Sequence, residues 1–195
     1  MTFSIRATMA GLAALFLASV SGAAMAACGN DVAADVVGLY GERTAFDVHR
    51  GGSRIGSHET RFAMEDGRLR VNSDMTLKVK VLFITAYRFD YQSEEVWCGD
   101  TIERLAASVN DDGSRNHLTA RREDGELMVT NGDGEAMAAG DVLPTNHWNA
   151  AVLDHDRVLN TLTGKVNAVE IVDMGLEEIQ TATGPIMATR YEYRG

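Results

Sequence analysis

Five histidines, the run Asp154-His155-Asp156 and the adjacent acids Glu94 and Glu95 are the side chains of this sequence best suited to metal or acid–base chemistry. Their spacing argues against most of it. His49 and His58 fall in one expected hairpin with His58 opposite Ala45, so their imidazoles share a face but sit about 13 Å apart at about 3.3 Å per residue. One ion about 2 Å from each nitrogen does not span that gap. His147 and His155 are eight residues apart, not the four of a helical chelate, and His117 stands alone. The acidic loop in "SVNDDGSRN" puts Thr119 where a calcium-binding loop needs a bidentate Glu, so it reads as a turn. No metal site and no cofactor are expected, and no phosphate loop or dinucleotide fingerprint is present in the sequence.

Nucleophilic chemistry fares no better. "GGSRIG" has Ile55 where a nucleophile elbow needs Gly, and Cys98 follows Trp97 on a strand, away from any helix N-terminus that would lower its pKa. Glu94 and Glu95 alternate faces and cannot share a substrate atom, and Asp154-His155-Asp156 beside Arg157 reads as a solvated face. No catalytic residue is expected, and the protein is read as a non-enzyme. The alternatives left open are a hydrolase-type enzyme using the Asn146–His155 segment and a packed structural β-domain with no ligand. Asn146, His147, Trp148 and Asn149 form the best recognition patch, and they read equally well as a plug, with Trp148 packed into the mouth of a sheet and Asn149 satisfying backbone.

The elements that would position these groups are strands. From Leu69 to Val81 the odd positions of "RLRVNSDMTLKVKVLF" are mostly apolar and the even ones polar, one wet and one dry face over roughly 43 Å. Asp-Gly, Gly-Gly and Asn-Gly pairs punctuate the chain, and the strands expected between turns are 43–50, 53–64, 68–81, 87–98, 101–110, 115–123, 126–130, 165–173, 176–183 and 186–194. A turn at Gly51-Gly52 would pair Arg50 with Ser53, Val48 with Ile55 and Phe46 with Ser57. Pro144, a capping Thr145 or Asn146 and roughly helix-spaced apolar residues predict a short helix across 146–160. The fold class is therefore all-β, an antiparallel meander of about ten strands forming a strongly curved sheet or barrel, with one short helix or irregular lid segment. Its dry side would be lined by Leu77, Val79, Val81, Tyr87, Phe89 and Trp148, an apolar surface suited to a lipid-like small molecule or a partner segment.

The first 26 residues carry Arg6, an apolar run from Met9 to Val20 and the small-residue site Ala24-Met25-Ala26, the layout of a signal peptide. Export to the periplasm or beyond is expected, with residues 27–195 as a single β-rich domain and no membrane span after cleavage. "MAAC" also resembles a lipobox, which would anchor the protein through an acylated Cys28. If Cys28 is not acylated, its even partner is Cys98, and a disulfide is plausible in an exported chain. The net charge of −10 becomes one more negative without the leader, which speaks against nucleic acid and anionic headgroups as partners. A monomer or weak oligomer is expected.

Taken in order, "YGERTAFDVHRGGSRIGSH", "YQSEEVW", "SVNDDGSRN", "LPTNHWN", "LNTLTGKV" and "ATRYEYRG" resemble an exported bacterial family, domain of unknown function 6134, over about residues 40–195. The resemblance implies a β-rich cell-envelope protein with no established activity, and it carries over no functional residue. Members of that family continue past the Gly of "RYEYRG" into a further hairpin, which implies that strand 186–194 is left as an open edge here.

Overall fold

The computed structural model of the chain describes residue 28, residues 30–81 and residues 83–195, so the expected leader and its cleavage site after Ala26 lie outside them. The first element is a helix that the strand periodicity did not anticipate, α1 (Asn30–Tyr40). Val36, Val37 and Tyr40 pack it on the core, and Gly41 ends it at φ +69°, donating its N–H to the Val37 carbonyl at 2.8 Å. A disulfide between Cys28 and Cys98, with Cα atoms 4.8 Å apart, ties the approach to α1 to the sheet.

Eight antiparallel strands follow in chain order: β1 (Arg43–Arg50), β2 (Ser53–Glu65), β3 (Arg68–Val81), β4 (Ile84–Cys98), β5 (Thr101–Asp111), β6 (Ser114–Glu123), β7 (Glu126–Thr130) and β8 (Ala136–Ala138). Asp66-Gly67, Asp112-Gly113 and Asp124-Gly125 each take positive φ at both positions, as primed hairpin turns require. The first hairpin keeps Arg50 opposite Ser53, but a bulge at Val48/His49 shifts the remainder by one. Val48 therefore faces Gly56, not Ile55, and Phe46 faces His58, not Ser57; His58 is thus opposite Phe46 and not Ala45. Only glycine fits at this crossing, because a Cβ on Gly56 would lie 1.9 Å from the Thr76 carbonyl oxygen of β3.

The sheet does not close into a barrel. After β8 the chain turns at Gly140, φ +72°, and residues 139–169 lie over the inner face of the sheet, where they fill the space a barrel would enclose. Within this cover β9 (Leu143–Pro144) runs parallel to β10 (Arg157–Leu159), which pairs antiparallel with β11 (Val166–Ala168). The helix expected across 146–160 is a 3-10 helix of five residues, Ala150–Asp154. Asn149 caps it, its side-chain oxygen accepting from the Ala151 N–H at 3.0 Å. Asn146 and Trp148 are both buried on the sheet side, a two-residue repeat that belongs to extended chain, and this is why no longer helix forms.

The chain ends in a separate two-stranded ribbon, β12 (Glu170–Thr181) and β13 (Gly184–Arg194). Met174-Gly175, expected as a turn between two strands, is a bulge inside one strand, with Gly175 at φ +87°. The ribbon is rooted near the core by Val169 and Tyr193, while Leu176, Ile186 and Met187 along it are exposed.

Candidate functional site

Tyr91, Ser93, Glu95 and Trp97 occupy alternate positions of β4, so all four face inward and all four are buried. The register sets Glu95 in a lateral row with Phe62, Val71, Leu105, Ala120 and Val129, every one apolar. The adjacent row, Thr60, Ser73, Ser93 and Ala107, is small, and the Thr60 and Ser73 hydroxyls bond each other at 3.2 Å. That small row makes room for Asn146 of the cover. Its Nδ2 donates to Ser93 Oγ at 3.2 Å and to Glu95 Oε1, and its Oδ1 accepts from the Tyr91 hydroxyl at 2.7 Å. Glu95 Oε2 accepts two indole N–H groups, from Trp97 at 2.7 Å and from Trp148 at 3.0 Å. The Trp148 ring meets Phe62 and Trp97 edge-on, with centroids 5.7 and 5.2 Å away.

Burial pushes the Glu95 carboxyl above its ordinary range, and the bonds from Asn146, Trp97 and Trp148 pull it back. Burial likewise raises the Tyr91 phenol. Glu95 has no exposed surface, and its bonds to Asn146 and Trp148 hold the cover in one register against the sheet. Trp148 is accordingly seated as a plug. The sequence contained a signal for this network, an inward Tyr-x-Ser-x-Glu-x-Trp stripe facing an Asn-x-Trp pair, but Glu95 was weighed only against its neighbour Glu94 and not against Asn146 and Trp148.

The histidine whose charge acts on His147 is His58, not its chain neighbour His155. Burial lowers the imidazoles of His58 and His147, and His147 is lowered further by His58, while its ring edge rests on Tyr193 with centroids 5.1 Å apart. Among the described residues Cys28, Cys98 and Glu103 are the one group of three ligand types within reach of a common ion, and the disulfide occupies both sulfurs.

The apolar face of β3 is covered along part of its length. Leu69, Val71 and Ser73 are fully buried, whereas Met75, Leu77 and Val79 are half-buried. Leu77 pairs with Phe89 and Val79 with Tyr87, so four of the expected lining residues form one patch. Val81 ends β3, and its side chain lies outside the described residues. Phe46 and Ile84 extend the patch, at 61% and 73% exposure. Trp148 is not part of it: Glu95, to which it bonds, lies six residues along β4 from Phe89, about 20 Å away. The shallow troughs on the opposite, outer face are lined by arginines, acids and small residues.

Among the described residues no helix is long and apolar enough to cross a membrane. No curated protein and no solved structure matches the chain. A family model described as Domain of unknown function (DUF6134) matches residues 46–195, from β1 through the sheet, the cover and the ribbon, and the chain belongs to that family.

Proposed function

We propose that this is an exported, non-enzymatic binding protein that receives an apolar chain, such as an acyl tail, on the uncovered end of its inner sheet face. The observation that carries the reading is the fall in burial along the inner face of β3 and β4, from Leu69 and Val71 sealed under the cover, through the half-buried Leu77, Val79 and Tyr87, to the exposed Phe46 and Ile84 at its edge. Contiguous apolar surface of this kind, rimmed by polar side chains, marks a binding surface more often than an accident of packing. The non-enzymatic part rests on Glu95: a carboxyl whose pKa is raised by burial is fully sealed from solvent. Export and removal of residues 1–26 follow the leader pattern and would place the Cys28–Cys98 disulfide in an oxidising compartment.

The filled interior beneath the cover favours a second reading, a structural β-domain with no ligand. Leu77→Asp separates the two. Protein isolated from a periplasm under native conditions is extracted and whatever co-purifies is measured by mass spectrometry, and the purified chain is titrated with a fluorescent fatty acid. Binding that is lost in Leu77→Asp and kept in Lys78→Asp, whose side chain is on the outer face, supports the apolar site. Absence of any co-purifying lipid or titratable binding in the parent protein leaves the structural reading standing.

A further inference from the structure

The outer face of the sheet carries a lateral row of residues opposite one another across strands: Arg70, Val96, Arg104, Arg121 and Met128, from β3 to β7. Two arginines therefore sit directly across from each other on β5 and β6, an arrangement that repels. Arg70 is held from both sides, by Glu65 at 2.7 Å and Glu94 at 2.5 Å, and Arg121 pairs with Glu123 at a well-exposed position. Arg104 makes no ion pair among the described residues. Beside this row the next one, Glu94, Ala106, Thr119, Thr130 and Ala136, is short-chained, so the face sinks into an open trough of about 650 Å³ with the guanidinium groups along one bank.

We propose that this trough is an anion-binding site in which Arg104 and Arg121, flanked by the fixed Arg70, hold a single carboxylate or phosphate group of a small polar molecule. Two neighbouring guanidinium forks on one bank can match the oxygens of such a group, which a lysine pair would not do as well. The chain is rich in arginine over lysine, and three of its arginines meet here. An anion between Arg104 and Arg121 would also remove the like-charge conflict. The surrounding Glu94 and Glu123, in a chain of net charge −10, exclude extended polyanions and select a ligand with one anionic group. Thr119 and Thr130 offer hydroxyls to its remaining polar atoms, and no aromatic ring lines the trough for a base or sugar to stack on.

The test is amide-resolved NMR of the full chain, titrated at constant ionic strength against chloride with inorganic phosphate, with glucuronate and with neutral glucose. Saturable shifts centred on Val96, Arg104–Ala106, Thr119–Arg121 and Met128 are expected from phosphate or glucuronate and not from glucose; which of the two binds tells a phosphate ligand from a hydroxylated carboxylate. Arg104→Gln is expected to bind about tenfold more weakly while keeping its native spectrum and a thermal midpoint equal to or above the parent's. Arg121→Gln repeats the test from the neighbouring strand, so a folding defect in one variant does not decide it. Shifts that fail to saturate for both anions, or that persist unchanged in both variants, overturn the proposal.

Discussion

Glu95 concentrates the residue-scale physics of the molecule: a carboxyl with no solvent contact, three N–H donors and a place inside an otherwise apolar row. Its folded-state pKa is raised above the ordinary 4.5 because burial outweighs the hydrogen bonds. A raised acid contributes stability that is complete below about pH 4.5 and is lost as pH climbs toward the folded value. Glu95→Gln removes this dependence and keeps the shape, since the Asn146 amide can turn to present its oxygen to the new amide. The expected result is a urea midpoint that gains on the parent as pH rises above 4.5; parallel curves would mean that Glu95 titrates alike in both states. Glu95→Leu differs, because it strands two indole N–H groups and an amide, and it should cost about 3 kcal/mol or more. His147 carries the opposite sign: its depressed imidazole contributes stability above its ordinary 6.5 that is lost on acidification, so His147→Gln should flatten the acid side of the profile. None of this was legible residue by residue. The alternation of β4 was visible, but a charge in an inward position is identified as buried only once its donors arrive, and Asn146 and Trp148 come from about fifty residues away.

At the scale of elements, the strands were legible because their two signals, period-two alternation and Asp-Gly turns, are local. The bulge in the first hairpin was not: it leaves Ile55 without a partner on β1, next to Gly56, where the backbone of β3 at Thr76 and Leu77 leaves no room for a side chain. Gly56→Ala forces a methyl into that carbonyl and should destabilise by roughly 2–4 kcal/mol, in the range of severe backbone clashes, whereas Gly38→Ala on α1, with open space around it, should be neutral or mildly stabilising. Chemical denaturation of the two variants side by side checks this, and equal midpoints would mean that the β2–β3 crossing relaxes freely. Helix α1 was missed for a related reason. It is short, and its place depends on the packing of Val36, Val37 and Tyr40 and on the Cys28–Cys98 bridge, neither of which a pattern of turns and alternations reports. Removing that bridge by Cys98→Ser releases a constraint across 70 residues and should lower stability by about 4 kcal/mol on the chain-entropy account.

For the whole molecule, the unequal coverage of one long sheet implies unequal stability along it. The rows through Glu95 and Ser93 are clamped between sheet and cover, while burial thins beyond the Leu77–Phe89 pair, and Ile84 and the outer ribbon are exposed. An isolated two-stranded ribbon is marginal in water, so β12 and β13 beyond their root at Val169 and Tyr193 should open without the rest of the fold. Native-state hydrogen exchange should therefore divide the amides into two groups. Those of Val71, Glu95, Leu105 and Ala120 should exchange only by global unfolding, and those of Glu177–Ile179 and Met187–Thr189 should exchange many-fold faster by local opening. The ends of β3 and β4 fall between, and they are the amides an apolar ligand on Leu77 and Phe89 would slow. Protection of the ribbon equal to that of the core, and growing with protein concentration, would show instead that its exposed Leu176, Ile186 and Met187 are covered by a second copy in solution.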